Sequence, residues 1–230
     1  LHTHVLLKEG WLHKSPHIAT SIITAYAHCG HVDGSHGVLE SLHVRDVGPF
    51  SALISGYAKS GQGLEALCCF QRMQTESISP NHVTFISILK SCGSISAIAK
   101  GKQIHAQVVH QGLLSRSMAL GTTLVDMYAR CGLLDQGKEV LQELPMRNVI
   151  SWNALITAFT QHGKSREALT LYKEMESQGE NPNLITFVGI FTACASQGDL
   201  LQAKEMHAKV AKKGVEMDGV IGNALISMYS

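Results

Sequence analysis

Residues 153–175 read NALITAFTQHGKSREALTLYKEM, and 102 positions earlier residues 51–73 read SALISGYAKSGQGLEALCCFQRM. The same offset carries TSIITAYAHCG (20–30) onto TTLVDMYARCG (122–132), and HVTFISILKSCGS (82–94) onto LITFVGIFTACAS (184–196). Self-similarity at a fixed period marks a repeat architecture, in which each unit buries its apolar face only against its neighbours. Three shorter units fill each 102-residue block. They run 16–46, 47–81 and 82–117, then 118–148, 149–183 and 184–218. A partial unit, 1–15, precedes them and a truncated one, 219–230, follows.

Unit 149–183 shows how one unit is built. Trp152, Leu155, Ile156 and Phe159 fall at i, i+3, i+4 and i+7, the apolar stripe of a helix. Gly163 is placed to end that helix in a left-handed cap, and Ser165 to N-cap the next. Ala168, Leu169, Leu171, Tyr172 and Met175 form the second helix's apolar face. Asn181-Pro182-Asn183 reads as a turn, because proline lacks an N–H and disfavours helix in the residue before it. Each unit is thus a helical hairpin. No long period-two pattern appears, so the expected fold class is all-α.

The chain has 230 residues, 45% hydrophobic and 16% charged, enough apolar surface for a sizeable core and too much for a disordered tail. The formal charge of +1 decides nothing about partners, while thirteen His add conditional positive charge at low pH. No apolar run approaches the ~20 residues of a membrane-spanning helix. LHTHVLLKEGW lacks a cationic n-region and a cleavage site, so no signal peptide is read there. The absence of an initial Met and the stop at SMYS read as a fragment.

Cys29 and Cys131 share the repeat offset, as do Cys92 and Cys194, which points to packing positions rather than ligands of one metal. Together with Cys68 and Cys69 they are expected to be free buried thiols in a reducing compartment. HTH at 2–4, and His28, His31 and His36 near Cys29, match no zinc spacing. His105 and His207, one cycle apart, read as packing residues.

The first helix of each unit carries a second, polar face. Asn153, Thr157 and Thr160 stand at i, i+4 and i+7 beside the apolar stripe, so Asn153 is expected to face a groove rather than the core. The place of Asn153 is taken by Thr20, Ser51, Thr122 and Asn223 in other units, and by Ile86 and Val188 in the two long ones. His28, Lys59 and Arg130 lie one residue beyond the stripe.

These units resemble pentatricopeptide repeats, specifically the plant type that cycles through P, L and S repeats. The resemblance is carried by ISWNALITAFTQHGKSREALTLYKEMESQGENPN, ITFVGIFTACASQGDLLQAKEMHAKVAKKG and GNALISMYS, and by unit lengths of 31, 35 and 36. It covers essentially the whole chain. In its terms 16–46 and 118–148 are S repeats, 47–81 and 149–183 P repeats, and 82–117 and 184–218 L repeats; 1–15 is a partial L and 219–230 a truncated S. It implies a right-handed α-solenoid that binds single-stranded RNA, one nucleotide per repeat, in a mitochondrion or chloroplast.

Two side chains per repeat read a base in that family: the small polar residue of the first helix and the last residue before the next repeat. Carried over, Thr20 pairs with Asp46, Ser51 with Asn81, Thr122 with Asn148 and Asn153 with Asn183, while Asn223 has lost its partner. A carboxylate only accepts, so Asp46 suits G or U; an amide also donates, so Asn81, Asn148 and Asn183 suit A or C. Family preference adds purines for Ser or Thr and pyrimidines for Asn. The expected target is 5′-G-A-x-A-C-x-pyrimidine-3′. The resemblance also implies an aliphatic clamp three positions before the helix reader. Val83, Ile150, Ile185 and Val220 fit that role; His17, Gly48 and Ala119 depart from it, though His17 can stack on a base. His28, Lys59 and Arg130 are the candidate phosphate contacts.

Many proteins of this class end in a cytidine-deaminase-like domain, but its H-x-E and C-x-x-C motifs do not occur here. There is no P-loop, no G-x-S-x-G and no paired carboxylates. The expectation is a non-enzymatic chain with no cofactor, small-molecule substrate or membrane. Its process would be C-to-U RNA editing, with other editing factors as further partners. The rival reading is a protein-interaction scaffold holding a peptide on its concave face.

Overall fold

The computed structural model describes residues 16–42, 45–198, 200–212 and 219–229. The described residues form thirteen α-helices and no strand. They pair as α1 (Pro16–His28) with α2 (Val32–Glu40), α3 (Val47–Lys59) with α4 (Gly63–Thr75), and α5 (His82–Ser94) with α6 (Ile98–His110). Then come α7 (Met118–Arg130) with α8 (Leu134–Glu143), α9 (Val149–Gln161) with α10 (Ser165–Ser177), α11 (Leu184–Gln197) with α12 (Leu200–Lys212), and α13 (Gly219–Tyr229). None is long and apolar enough to cross a membrane.

The chain divides into two compact units, 1–120 and 121–230. In the first, α1, α3 and α5 pack side by side, and α2, α4 and α6 each fold back on their own partner. In the second, α9, α11 and α13 pack in the same way, with α10 and α12 behind them. The cores are built from equivalent side chains. Phe50, Phe70 and Phe85 are buried in the first unit; Trp152, Tyr172 and Phe187, each 102 residues on, are buried in the second. Burying such a side chain contributes about 1.5–3 kcal/mol, so three hairpins that share these contacts hold together where one would not. The expected stripe of Trp152, Leu155, Ile156 and Phe159 is buried throughout.

The turns follow the sequence with one correction. Gly163 has φ +72°, the left-handed cap expected of it. Ser165 is not the N-cap: Lys164 holds that position and Ser165 is the first helical residue, its buried Oγ without a hydrogen-bond partner. The turn is so tight that residue 165 already lies in the first helical turn, facing inward. After the second helix the chain again turns left-handed, at Gly179 in the second unit and at Ser77 in the first.

None of the six cysteines is in a disulfide, and not all of them are buried. Cys69, Cys92 and Cys194 are buried, Cys131 is half-buried, and Cys29 and Cys68 are exposed. Adjacent helical residues point about 100° apart, so only one of Cys68 and Cys69 can face the core. Burial pushes the Cys69 thiol up to about 12. Along the outer edge of the first unit Arg72 pairs with Glu40 and with Glu76 (2.9 Å), and Arg45 with Glu76 (2.6 Å). The Arg72 hydrogen bond holds the Glu40 carboxyl below its usual range.

Candidate nucleic-acid interface

The last residue of each repeat is fixed by helix chemistry. A helix leaves its first N–H groups unpaired, and an Asn or Asp side chain just before it supplies the missing acceptor. Asn81, Asn148 and Asn183 are the extended N-caps of α5, α9 and α11, and their Oδ1 atoms accept from Thr84 N (2.9 Å), Ser151 N (2.9 Å) and Thr186 N (3.2 Å). Asp46 caps α3 differently: its third helical residue is Pro49, which has no N–H, and Oδ1 accepts from Val47 N at 2.6 Å.

Capping brings the three asparagines to the polar residue on the preceding first helix. Asn153 Nδ2 donates to Asn183 Oδ1 at 2.9 Å. Asn148 Nδ2 donates to Thr122 Oγ1 at 3.2 Å. Ser51 Oγ stands 3.5 Å from Asn81 Oδ1. These three pairs are thus in hydrogen-bond contact, across 26 to 30 residues of chain. Thr20 and Asp46 are half-buried and exposed at equivalent places.

Asn153 departs from the expectation that it faces the groove. It is only 6% exposed, and Ser51 is equally buried. A second polar group explains how burial is tolerated: Thr186 Oγ1 donates to Asn153 Oδ1 at 2.6 Å, and Ser51 Oγ and Thr84 Oγ1 are 2.6 Å apart. A buried amide or hydroxyl without such partners is costly. The exposed member of the Asn153 pair is Asn183. Thr160, assigned to the same polar face, is also buried, and donates to Ile156 O at 2.9 Å. Thr84 and Thr186 were not among the site residues expected from sequence. Their signal was the VTF and ITF at the same register of the two L repeats.

Each unit has a cleft along its first helices. That of the first unit is lined by Thr20, His28, Ser51, Lys59, Asn81 and Val83. That of the second, about 440 Å³, is lined by Asp126, Arg130, Ile150, Asn153, Thr157 and Ile185. Val83, Ile150 and Ile185 are 42%, 63% and 59% exposed, apolar side chains held in water beside polar amides. Val220 lies in α13, but its side chain is outside the described residues, and Asn223 is exposed on the same helix. Gly48, where a clamp is missing, has a packing reason: a Cβ there would meet Thr20 Oγ1 at 2.7 Å. His17 and Ala119 are exposed.

The three basic residues differ. Lys59 Nζ and His28 Nε2 are 3.5 Å apart on an exposed rim, and among the described residues no carboxylate lines the cleft. Arg130 is paired with Asp126 at 2.8 Å. His207 packs on Tyr229, ring centroids 5.8 Å apart, with Nδ1 3.1 Å from the phenol oxygen. Residues 2–4 lie outside the described residues, and among those described no three His, Cys, Asp or Glu side chains gather as a metal site.

Side-by-side helical hairpins, with a capping Asp or Asn before α3, α5, α9 and α11, define an α-solenoid of helix-turn-helix repeats. Comparison with known proteins narrows the class. The PPR repeat family model matches residues 45–94 and 147–196, and the PPR repeat model matches 122–149. A chloroplastic pentatricopeptide repeat-containing protein of Arabidopsis thaliana is 34% identical over 99% of the chain, which spans 37% of that relative. A mitochondrial one from the same plant is 34% identical over 92% of the chain, which spans 38% of it. Among solved structures, the pentatricopeptide repeat protein PPR10 in complex with an 18-nt psaJ RNA element matches with a TM-score of 0.67 at 18% identity, over 92% of this chain and 37% of that one. The PPR domain of Arabidopsis thaliana protein-only RNase P 1, in complex with tRNA, matches at 0.61 and 10% identity, over 76% and 94% of the two chains. The chain belongs to the pentatricopeptide repeat family. It spans little more than a third of these curated relatives.

Proposed function

We propose that the chain is a sequence-specific single-stranded RNA-binding array of the P-L-S type, taking one nucleotide per repeat. The observation that carries this is the pairing of a cap amide with a polar residue of the preceding first helix, flanked by exposed Ile150 and Ile185. An amide edge between apolar side chains suits an unstacked base, which needs hydrogen bonds on its edge and apolar contact on its faces. A peptide-binding scaffold has no use for both at a fixed register. RNA in the complexes of PPR10 and of the RNase P domain supports the ligand class. Chloroplastic and mitochondrial relatives support an organellar site of action. Within that reading the base readers are Thr20/Asp46, Ser51/Asn81, Thr122/Asn148, Asn153/Asn183 and Asn223. Val83, Ile150, Ile185 and Val220 clamp, and His28, Lys59 and Arg130 approach phosphates. The chain supplies specificity to organellar RNA processing, C-to-U editing first, in company with other editing factors.

The test is titration of the 230-residue chain with short RNAs containing 5′-G-A-x-A-C-x-pyrimidine-3′ and with scrambled ones. Tighter binding of the matched RNA is expected. Equal binding of both, differing only with salt, overturns the assignment. Asn183→Asp should move preference at the C towards U and leave the other positions unchanged.

A further inference from the structure

Asn153, Asn183 and Thr186 close a ring of hydrogen bonds. Asn183 N donates to Thr186 Oγ1 at 3.1 Å, so the threonine proton is directed elsewhere. The hydroxyl's short contact is to Asn153 Oδ1 at 2.6 Å, against 3.2 Å to Asn183 Oδ1. With its oxygen occupied, Asn153 turns Nδ2 to Asn183 Oδ1 at 2.9 Å. That oxygen also caps Thr186 N at 3.2 Å. Asn183 Oδ1 is therefore consumed, and the only group this exposed amide can offer outward is Nδ2, a donor.

Thr186 is fully buried. The junctions before the two P repeats lack its counterpart. Ser151 turns its hydroxyl to Asn148 O at 2.8 Å, and Pro49 has none. We propose that Thr186 is a positioning residue for base choice: its hydroxyl holds Asn153 in the one amide orientation that keeps Asn183 a donor, so that this repeat selects cytosine over uracil. The chemistry is direct. Cytosine presents an unprotonated N3, which accepts; uracil presents N3–H, which meets a second donor. The proposal rests on the RNA-reading function above.

The experiment uses Thr186→Val, which keeps the branched shape and removes the hydroxyl, with Thr186→Ser as the conservative partner. Binding is measured to RNAs that differ only in C or U at the nucleotide of repeat 149–183, and only in A or G at that of repeat 47–81. In wild-type protein C is preferred. Thr186→Val should lower that C-over-U ratio about tenfold, the scale set by one buried acceptor left unpaired, with the A-over-G ratio at the other repeat unchanged. Thr186→Ser should restore it. A thermal midpoint for each variant separates this from unfolding, which would weaken both nucleotides together. If wild type prefers C and Thr186→Val keeps the full ratio, the positioning role is wrong and the RNA reading stands. Loss of discrimination at both repeats likewise overturns the role. If wild type shows no preference at this nucleotide, the RNA-reading assignment itself fails.

Discussion

Residues 47–94 and 149–196 are two versions of one stretch of chain, and they hold the polar residues of their junctions by different hydrogen-bond logic. In the second, an amide at 153 has a fixed donor end and a fixed acceptor end, and the ring through Thr186 runs one way. In the first, the place of Asn153 is taken by Ser51, whose hydroxyl faces that of Thr84 at 2.6 Å with either oxygen able to donate. Asn81 still spends Oδ1 on capping Thr84 N. The last residue of both repeats therefore has its oxygen occupied, while the helix residue is an amide with a distinct donor and acceptor in one and a hydroxyl able to do either in the other. The edges differ as well. Glu40, Arg45, Arg72 and Glu76 form an ion-pair chain in the first unit. At the same register the second has Gln142, Arg147, Glu174 and Gln178, with Arg147 bonded to Gln178 at 2.7 Å. Packing is kept across the 102-residue offset; polar detail is not.

The largest test of that equivalence lies in the core. Trp152→Ala and Phe50→Ala should each cost roughly 3–5 kcal/mol in urea denaturation followed by circular dichroism. A cost at one site less than half that at the other breaks the packing equivalence. A smaller effect sharpens the backbone comparison. Ser96 has φ +53° where its counterpart Gly198 has +65°, both left-handed. A side chain in that region is strained by about 1–3 kcal/mol, part of which glycine's greater unfolded-state freedom offsets. Ser96→Gly should raise stability by about 0.5–1 kcal/mol, and Gly198→Ser should lower it, each visible as a shift of a few degrees in thermal midpoint. The smallest effect is electrostatic. The folded Glu40 carboxyl is held below its usual range, so its pair stabilises above the ordinary glutamate value of about 4.3 and is lost as pH falls through the lower folded value. The pair is partly exposed, so the effect is a few tenths of a kcal/mol. Comparing urea midpoints at pH 7 and pH 3 for wild type and Glu40→Gln should show a shallower loss in the variant.

Much of the site is legible in the chain because repeats repeat their errors and successes alike. The repeat offset and the family resemblance pair Ser51 with Asn81, Thr122 with Asn148 and Asn153 with Asn183, up to 30 residues apart, and these side chains are in contact. Periodicity was less able to say how deep they sit. Asn153 lies beside the apolar stripe of α9 whether α11 covers it or not, so a helical wheel assigns it to a groove. Its 6% exposure is set by α11 packing against α9. Thr84 and Thr186 were missed for the same reason: a threonine in a first helical turn has an ordinary local role, and its partner lies 33 residues away.

By itself the sequence determined the hairpins, their order and the identity of the core side chains, because helix periodicity, caps and turn residues act over a few positions. It also supplied the donors and acceptors at each junction. Tertiary structure alone decided which of those groups are spent on one another. Neighbouring first helices bring Asn153, Asn183 and Thr186 within 3.2 Å, and a buried polar atom must then be paired. That pairing uses up the oxygen of Asn183.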